Sequence, residues 1–176
     1  MRRLRYSVAA SLDGYIADAN GGFDWIPNDP TVDFAALFDP VDTIIMGRRT
    51  FDVMQEQSGP PFKAGTRVYV VSRTLRADSA PGVTIVRDDP VEVASSLRHE
   101  TGSGEIWLFG GGQLFATLLA GRQVDAVEVT VVPVLLGGGI PLLQQGIDRT
   151  TLSLTRSHVY PSGMVMLQYS VPSAAL

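Results

Sequence analysis

The stretch EIWLFGGGQLFATLL, Glu105 to Leu119, carries the signal on which the fold turns. Glu105 to Phe109 is an apolar run of strand length, and Leu114, Phe115, Leu118 and Leu119 repeat at helical spacing behind it. Gly110, Gly111 and Gly112 sit at the switch, so the stretch reads as strand, turn, helix. A glycine-only junction leaves backbone N–H groups uncovered where the helix dipole adds partial positive charge, which suits an anion such as phosphate. A tight turn needing positive φ would produce the same sequence. The G-x-G-x-x-G fingerprint is incomplete, because Phe115 stands at its last glycine.

Working outward, Thr43 to Met46 reads as a second buried strand, followed by Gly47-Arg48-Arg49-Thr50 and a helix to about Gln55. Two guanidiniums at a helix start oppose that helix's own dipole unless an anion joins them, which marks the junction as functional. Arg67 to Val71 ends at Ser72-Arg73-Thr74, again polar and basic, and Val83 to Val86 makes a further strand. Asp89-Pro90-Val91-Glu92 is a helix start with aspartate as N-cap and proline at the first helical position. His99, near that helix's end, reads as a solvated dipole partner.

Leu4 to Ala10 alternates as a strand and belongs at the centre of the sheet. Tyr15 to Ala17 resumes after a turn, and Asp18 to Asp29 is a loop around Trp25 of the kind that often covers a site. Thr31 can cap a helix with Phe34, Leu37 and Phe38 on its apolar face and Asp33 in its first turn. That aspartate either complements the dipole or serves a neighbouring pocket. Ser58 to Thr66 reads as loop. Val124 to Leu136, Thr151 to Val159 and Met164 to Val171 supply the last strands, the final two joined by a Tyr160–Gly163 hairpin turn with His158 as a structural neighbour. Strands alternating with helices and then a strand-rich tail predict an α/β fold: a mixed, mostly parallel sheet flanked by helices, with a C-terminal antiparallel hairpin. Turns at Gly47, Ser72 and Gly110 should share one crevice at the carboxyl edge.

At 176 residues with 45% hydrophobic content, one domain spanning 1–176 is expected. A net charge of −4 and 18% charged residues give no sign of a nucleic-acid or membrane surface. The absence of cysteine excludes disulfides, thiolate metal sites and cysteine nucleophiles; no metal site is expected, and a cytoplasmic protein is. Neither a G-x-S-x-G elbow nor H-E-x-x-H is present, so a hydrolase finds no support.

These motifs together resemble the dihydrofolate reductase superfamily, and within it the reductase of riboflavin biosynthesis, the RibD C-terminal domain branch. The carriers are Val8 to Gly14 with Trp25 after it, Ile45 to Phe51, Val70 to Arg73, Leu108 to Gly112, and the tail Val129 to Gly139. The resemblance implies NADPH across the carboxyl edge. Arg48, Arg49 and Thr50 after Gly47 would take phosphates, with Arg48, Ser72 and Arg73 on the 2′-phosphate. Gly110, Gly111, Gly112, Gln113 and Leu114 would hold the diphosphate, and Ala10, Ile16 and Phe109 would border the nicotinamide. Asp13, Trp25 and Phe34 fall on the substrate side. Asp33 is the nearest match to the family's acid, with Asp29 as rival. A folate enzyme keeps an arginine where Thr66 follows Gly65, which argues against folate. A zinc deaminase domain lacks its cysteine ligands here. The implied activity is hydride transfer from NADPH to a small pyrimidine or pterin-like heterocycle, with chemistry like that of 5-amino-6-(5-phosphoribosylamino)uracil reductase. A non-catalytic dinucleotide-binding module and a true dihydrofolate reductase are the alternatives, and the riboflavin-type relatives imply a homodimer.

Overall fold

The alternation from Leu4 onward forms β1 (Leu4–Ser11), which pairs in parallel with β6 (Glu105–Gly110) on one side and β7 (Ala126–Val132) on the other. The computed structural model describes residues 1–56 and 62–172, so part of the loop expected from Ser58 lies outside the described residues. Along the chain the remaining elements are β2 (Tyr15–Ala17), α1 (Phe34–Phe38), β3 (Val41–Gly47), α2 (Arg48–Glu56), β4 (Arg67–Val71), β5 (Thr84–Val86) and α3 (Pro90–His99). After β6 come α4 (Gly112–Ala120), then β7, β8 (Ile140–Pro141), β9 (Ser153–Val159) and β10 (Val165–Ser170).

Eight strands form one sheet in the order β5-β4-β3-β6-β1-β7-β10-β9, and β2 with β8 makes a small second sheet. The first six strands of that order run parallel, while β10 and β9 are antiparallel. The expected mixed sheet with a terminal hairpin is therefore present.

Strand periodicity sends alternate residues to opposite faces, and each face has its own core. On β3, Ile45 packs with Leu4, Tyr6, Leu108 and the α4 residues Leu114, Phe115 and Leu118, whereas Ile44 and Met46 pack with Phe51, Met54 and Trp107 under α2. Tyr6 stacks on Phe115 with ring centroids 3.9 Å apart. That contact explains why the glycine fingerprint stops early: the position holds an aromatic anchor of the core.

Two boundaries differ from the sequence expectation. β7 ends at Val132, four residues before Leu136, because Pro133 has no N–H to continue the ladder. Helix α1 is capped by Asp33, whose carboxylate accepts the Ala36 N–H at 2.9 Å, and Thr31 is not the cap. Thr31 is held elsewhere, its hydroxyl donating to Asp29 at 2.6 Å.

Candidate functional site

Because β3, β4, β5 and β6 run in the same direction, the turns that follow them open onto one edge. Gly47 leads into α2, Val71 into Ser72 and Arg73, Val86 into Arg87, and Gly110 into α4. These turns, with the Ala17–Asp29 loop and the β9–β10 turn, line a cleft of about 2310 Å³.

The glycine corner sorts residue by residue. Gly110 has φ +134°, a conformation closed to side-chain-bearing residues. Gly112 is pressed against β8: a Cβ there would come within 2.5 Å of the Pro141 carbonyl oxygen. Gly111 is the N-cap of α4 at φ −92°, with no side chain capping the helix, and a Cβ would meet only Thr50 Oγ1 at 3.6 Å. The first N–H groups of α4 therefore lack a side-chain partner at the cleft wall, where Gly110 to Leu114 all line the space.

Arginines gather at the same end. Arg48 Nε bonds Asp52 at 2.7 and 2.8 Å, so the anion inferred to offset its place at the helix start is partly a neighbour four residues on. Arg49 and Arg73 make no ion pair among the described residues, and both line the cleft. Ser72 Oγ accepts the Leu75 N–H at 3.0 Å, which leaves its O–H to donate. Arg87, not singled out from sequence, also lines the cleft and donates to the Leu75 carbonyl at 2.9 Å.

The other end of the cleft is acidic. Asp29, 5% exposed, accepts the Thr31 N–H at 2.9 Å and the Ser162 N–H at 3.0 Å, which ties the Trp25 loop to the β9–β10 turn. The Ser162 side chain beside it, the Thr31 hydroxyl and these backbone N–H groups hold its carboxyl well below the usual carboxylate range. Among the described residues Ser162 Oγ has no hydrogen-bond partner, so its backbone N–H is the contact that reaches Asp29. Glu128 on β7, 3% exposed, accepts the Ser7 hydroxyl at 2.7 Å and the Gln168 amide, with Arg5 Nη1 at 3.7 Å. Trp107 and Phe109 form part of the wall, their rings edge-on at 5.1 Å.

The structure brings together Ile16, Phe34, Gly47, Arg48, Arg49, Thr50, Ser72, Arg73, Phe109 and the whole Gly110–Leu114 run. Four expected residues lie outside the lining. Ala10 points into the α4-side core, and Val8 and Ala9 reach the cleft in its place. Asp13 is occupied by the Ser11 hydroxyl and the N–H groups of Leu136 and Gly137, which pin a turn. Trp25 donates its indole N–H to the Gly22 carbonyl at 3.1 Å, while its neighbours Phe23, Asp24 and Ile26 line the space. Asp33 is exposed and spends its carboxylate as the α1 cap. Sequence reading passed over Glu128 and Tyr160. A single charge inside the alternating run Ala126 to Val132 was the available signal for the first.

Residues 2–166 match the RibD C-terminal domain. The chain belongs to that family. An uncharacterized protein, YyaP, of Bacillus subtilis (strain 168) is 30% identical over 96% of this chain and 94% of its own length. A solved structure from Shewanella sp. PV-4, described as a riboflavin biosynthesis protein, superposes with a TM-score of 0.84 at 30% identity over 98% of this chain and all of its own. The diaminohydroxyphosphoribosylaminopyrimidine deaminase/5-amino-6-(5-phosphoribosylamino)uracil reductase of Thermotoga maritima shares the fold, with a TM-score of 0.71 at 18% identity, over 97% of this chain and 57% of that one. RibD C-terminal domain membership places the chain among oxidoreductases with a dihydrofolate reductase-like fold. Among the described residues no helix is long and apolar enough to cross a membrane.

Proposed function

We propose that the protein is an NADPH-dependent reductase of a small nitrogen heterocycle of pyrimidine or pterin type. The observation that carries this reading is the convergence on one cleft wall of the uncapped α4 start with Arg49 and Arg73, cations without a carboxylate partner among the described residues. Backbone N–H groups suit a diphosphate, and guanidinium forks suit a phosphate monoester.

The residues present fit NADPH. Gly111, Gly112 and Gln113 would hold the diphosphate through N–H groups, with Thr50 Oγ1 close above Gly110 and Gly111. Arg49, Arg73 and the Ser72 O–H would grip the 2′-phosphate, with Arg48 sharing its charge between that phosphate and Asp52. Ile16 and Phe109 would flank the nicotinamide. The cofactor supplies a hydride. Asp29 stays ionised through the physiological range, so it orients a donor N–H or a water and does not itself release a proton. The aromatic wall of Trp107, Phe109 and Phe38 excludes bulk water from the reacting face.

Titration of both nicotinamide cofactors tests the assignment. Arg73→Ala is expected to weaken NADPH binding about tenfold or more, the size of one charge-assisted contact, and to leave NADH binding unchanged. Equal affinity of the unaltered protein for NADPH and NADH would sink the phosphate role. Cofactor binding without oxidation of NADPH against any pterin or pyrimidine would favour a binding module over an enzyme.

A further inference from the structure

The cleft is larger than one ligand requires, and its arginines, with Asp52, Asp88 and Asp89 among them, are all gathered at one side of the sheet. Its volume of about 2310 Å³ compares with roughly 300–1,000 Å³ for a small-molecule site. Arg48, Arg49, Arg73 and Arg87 follow the ends of β3, β4 and β5, whereas Glu128 lies on β7 and Asp29 is bonded to the β9–β10 turn. In the strand order β7 stands three places from β3, about 14 Å at the usual strand spacing.

No lysine, arginine or histidine among the described lining residues stands at the β7 end. Arg5 lies beneath it, with its guanidinium taken up by Glu105, Glu128 and the Leu37 carbonyl. Arg156, the cross-strand neighbour of Gln168, is exposed and outside the lining. Burial first, then the Glu128 carboxylate, push the Tyr160 phenol above its ordinary range.

Resting on the reductase reading above, we infer that this end takes an unphosphorylated nitrogen heterocycle whose ring N–H or exocyclic amino group donates to Glu128, and that it rejects phosphorylated substrates. A carboxylate offers about four acceptor sites, and Ser7 and Gln168 occupy two of those on Glu128. A buried anion with acceptor capacity left over binds an N–H donor strongly, because water competes poorly there. A phosphate beside Glu128 would meet its carboxylate, and the one guanidinium nearby, Arg5, is already engaged by Glu105, Glu128 and the Leu37 carbonyl.

The test uses the full chain loaded with NADPH, whose binding is titrated first, and reads calorimetric binding of two probe sets. 2,4-Diaminopyrimidine is expected to bind, and Glu128→Gln to weaken it about tenfold or more while NADPH affinity holds. Cytidine is expected to bind at least about tenfold tighter than cytidine 5′-monophosphate. The inference is overturned if the monophosphate binds as tightly as cytidine, if Glu128→Gln leaves the diaminopyrimidine affinity unchanged, or if no probe binds at millimolar concentration. Should Glu128→Gln fail to fold, the cytidine pair on the unaltered chain decides. Failure to bind NADPH refutes the reductase reading, whereas NADPH binding with the monophosphate preferred refutes only this inference.

Discussion

At the scale of single residues, Tyr6 shows a fold tolerating a local cost. Its ring is fully buried against Phe115, yet its hydroxyl finds no hydrogen-bond partner among the described residues, and burial drives its pKa far up. A buried unsatisfied hydroxyl costs about 1–3 kcal/mol. Tyr6→Phe should therefore stabilise the protein by about 1 kcal/mol, raising the unfolding temperature by about 2–4 °C in calorimetry. A lower unfolding temperature would mean that the hydroxyl has a partner. The adjacent glycines separate structural from functional need. Gly112→Ala drives a Cβ into the Pro141 carbonyl and should cost about 1–3 kcal/mol. Gly111→Ala meets only ordinary contact in an extended backbone, so it should leave the unfolding temperature alone and cut NADPH affinity about tenfold or more by blocking the diphosphate's approach. Unaltered affinity in Gly111→Ala would reduce the corner to a turn.

At the scale of elements, two of the aspartates in the loop and helix between β2 and β3, Asp29 and Asp33, do different work. Asp33 caps α1 from an exposed position. Asparagine caps as well as aspartate, so Asp33→Asn should leave both stability and turnover unchanged, and a fall in turnover of about 10²-fold would restore it as the acid. Asp29 fastens the loop to the β9–β10 turn through a carboxylate whose folded pKa is depressed. A depressed folded pKa gives stability that is full above the unfolded value, about pH 4, and is lost as pH falls from there toward the folded value. Asp29→Asn should flatten that acid limb in chemical denaturation and lower stability at neutral pH. An acid limb as steep as the unaltered protein's would assign the loss to other carboxylates, such as Glu100 beside Arg67.

At the scale of the whole molecule, the sheet leaves β9 as an edge whose seven residues are all exposed, Leu154 at 57% and Val159 at 69%. Unprotected apolar edges pair with other strands. A second copy of the chain is the expected cover, and sedimentation at micromolar concentration should show a dimer that Leu154→Lys with Val159→Lys dissociates; a monomer before substitution would remove the proposal. Much of this architecture was legible in the chain itself. Period-two alternation in Leu4–Ala10, the Asp89-Pro90 helix start and the glycine switch at Gly110 are local signals, because backbone sterics and hydrogen bonding act over a few residues. The same signals drew the glycine- and arginine-lined end of the cleft, whose residues sit in short turns directly after strands. They are silent where the placement of a side chain depends on what it meets across the fold. Whether Asp33, Asp29 or Asp13 faced the cleft turned on distant partners, Ser162 for Asp29 and Gly137 for Asp13, more than a hundred positions away. Glu128 drew no reading from the sequence, and it is tertiary pairing that places β7 between β1 and β10 and buries it beside Ser7 and Gln168. Local sequence determined the elements and their order. Only the tertiary structure decided which carboxylates the cleft contains, because burial and electrostatic partnership are set by non-local packing.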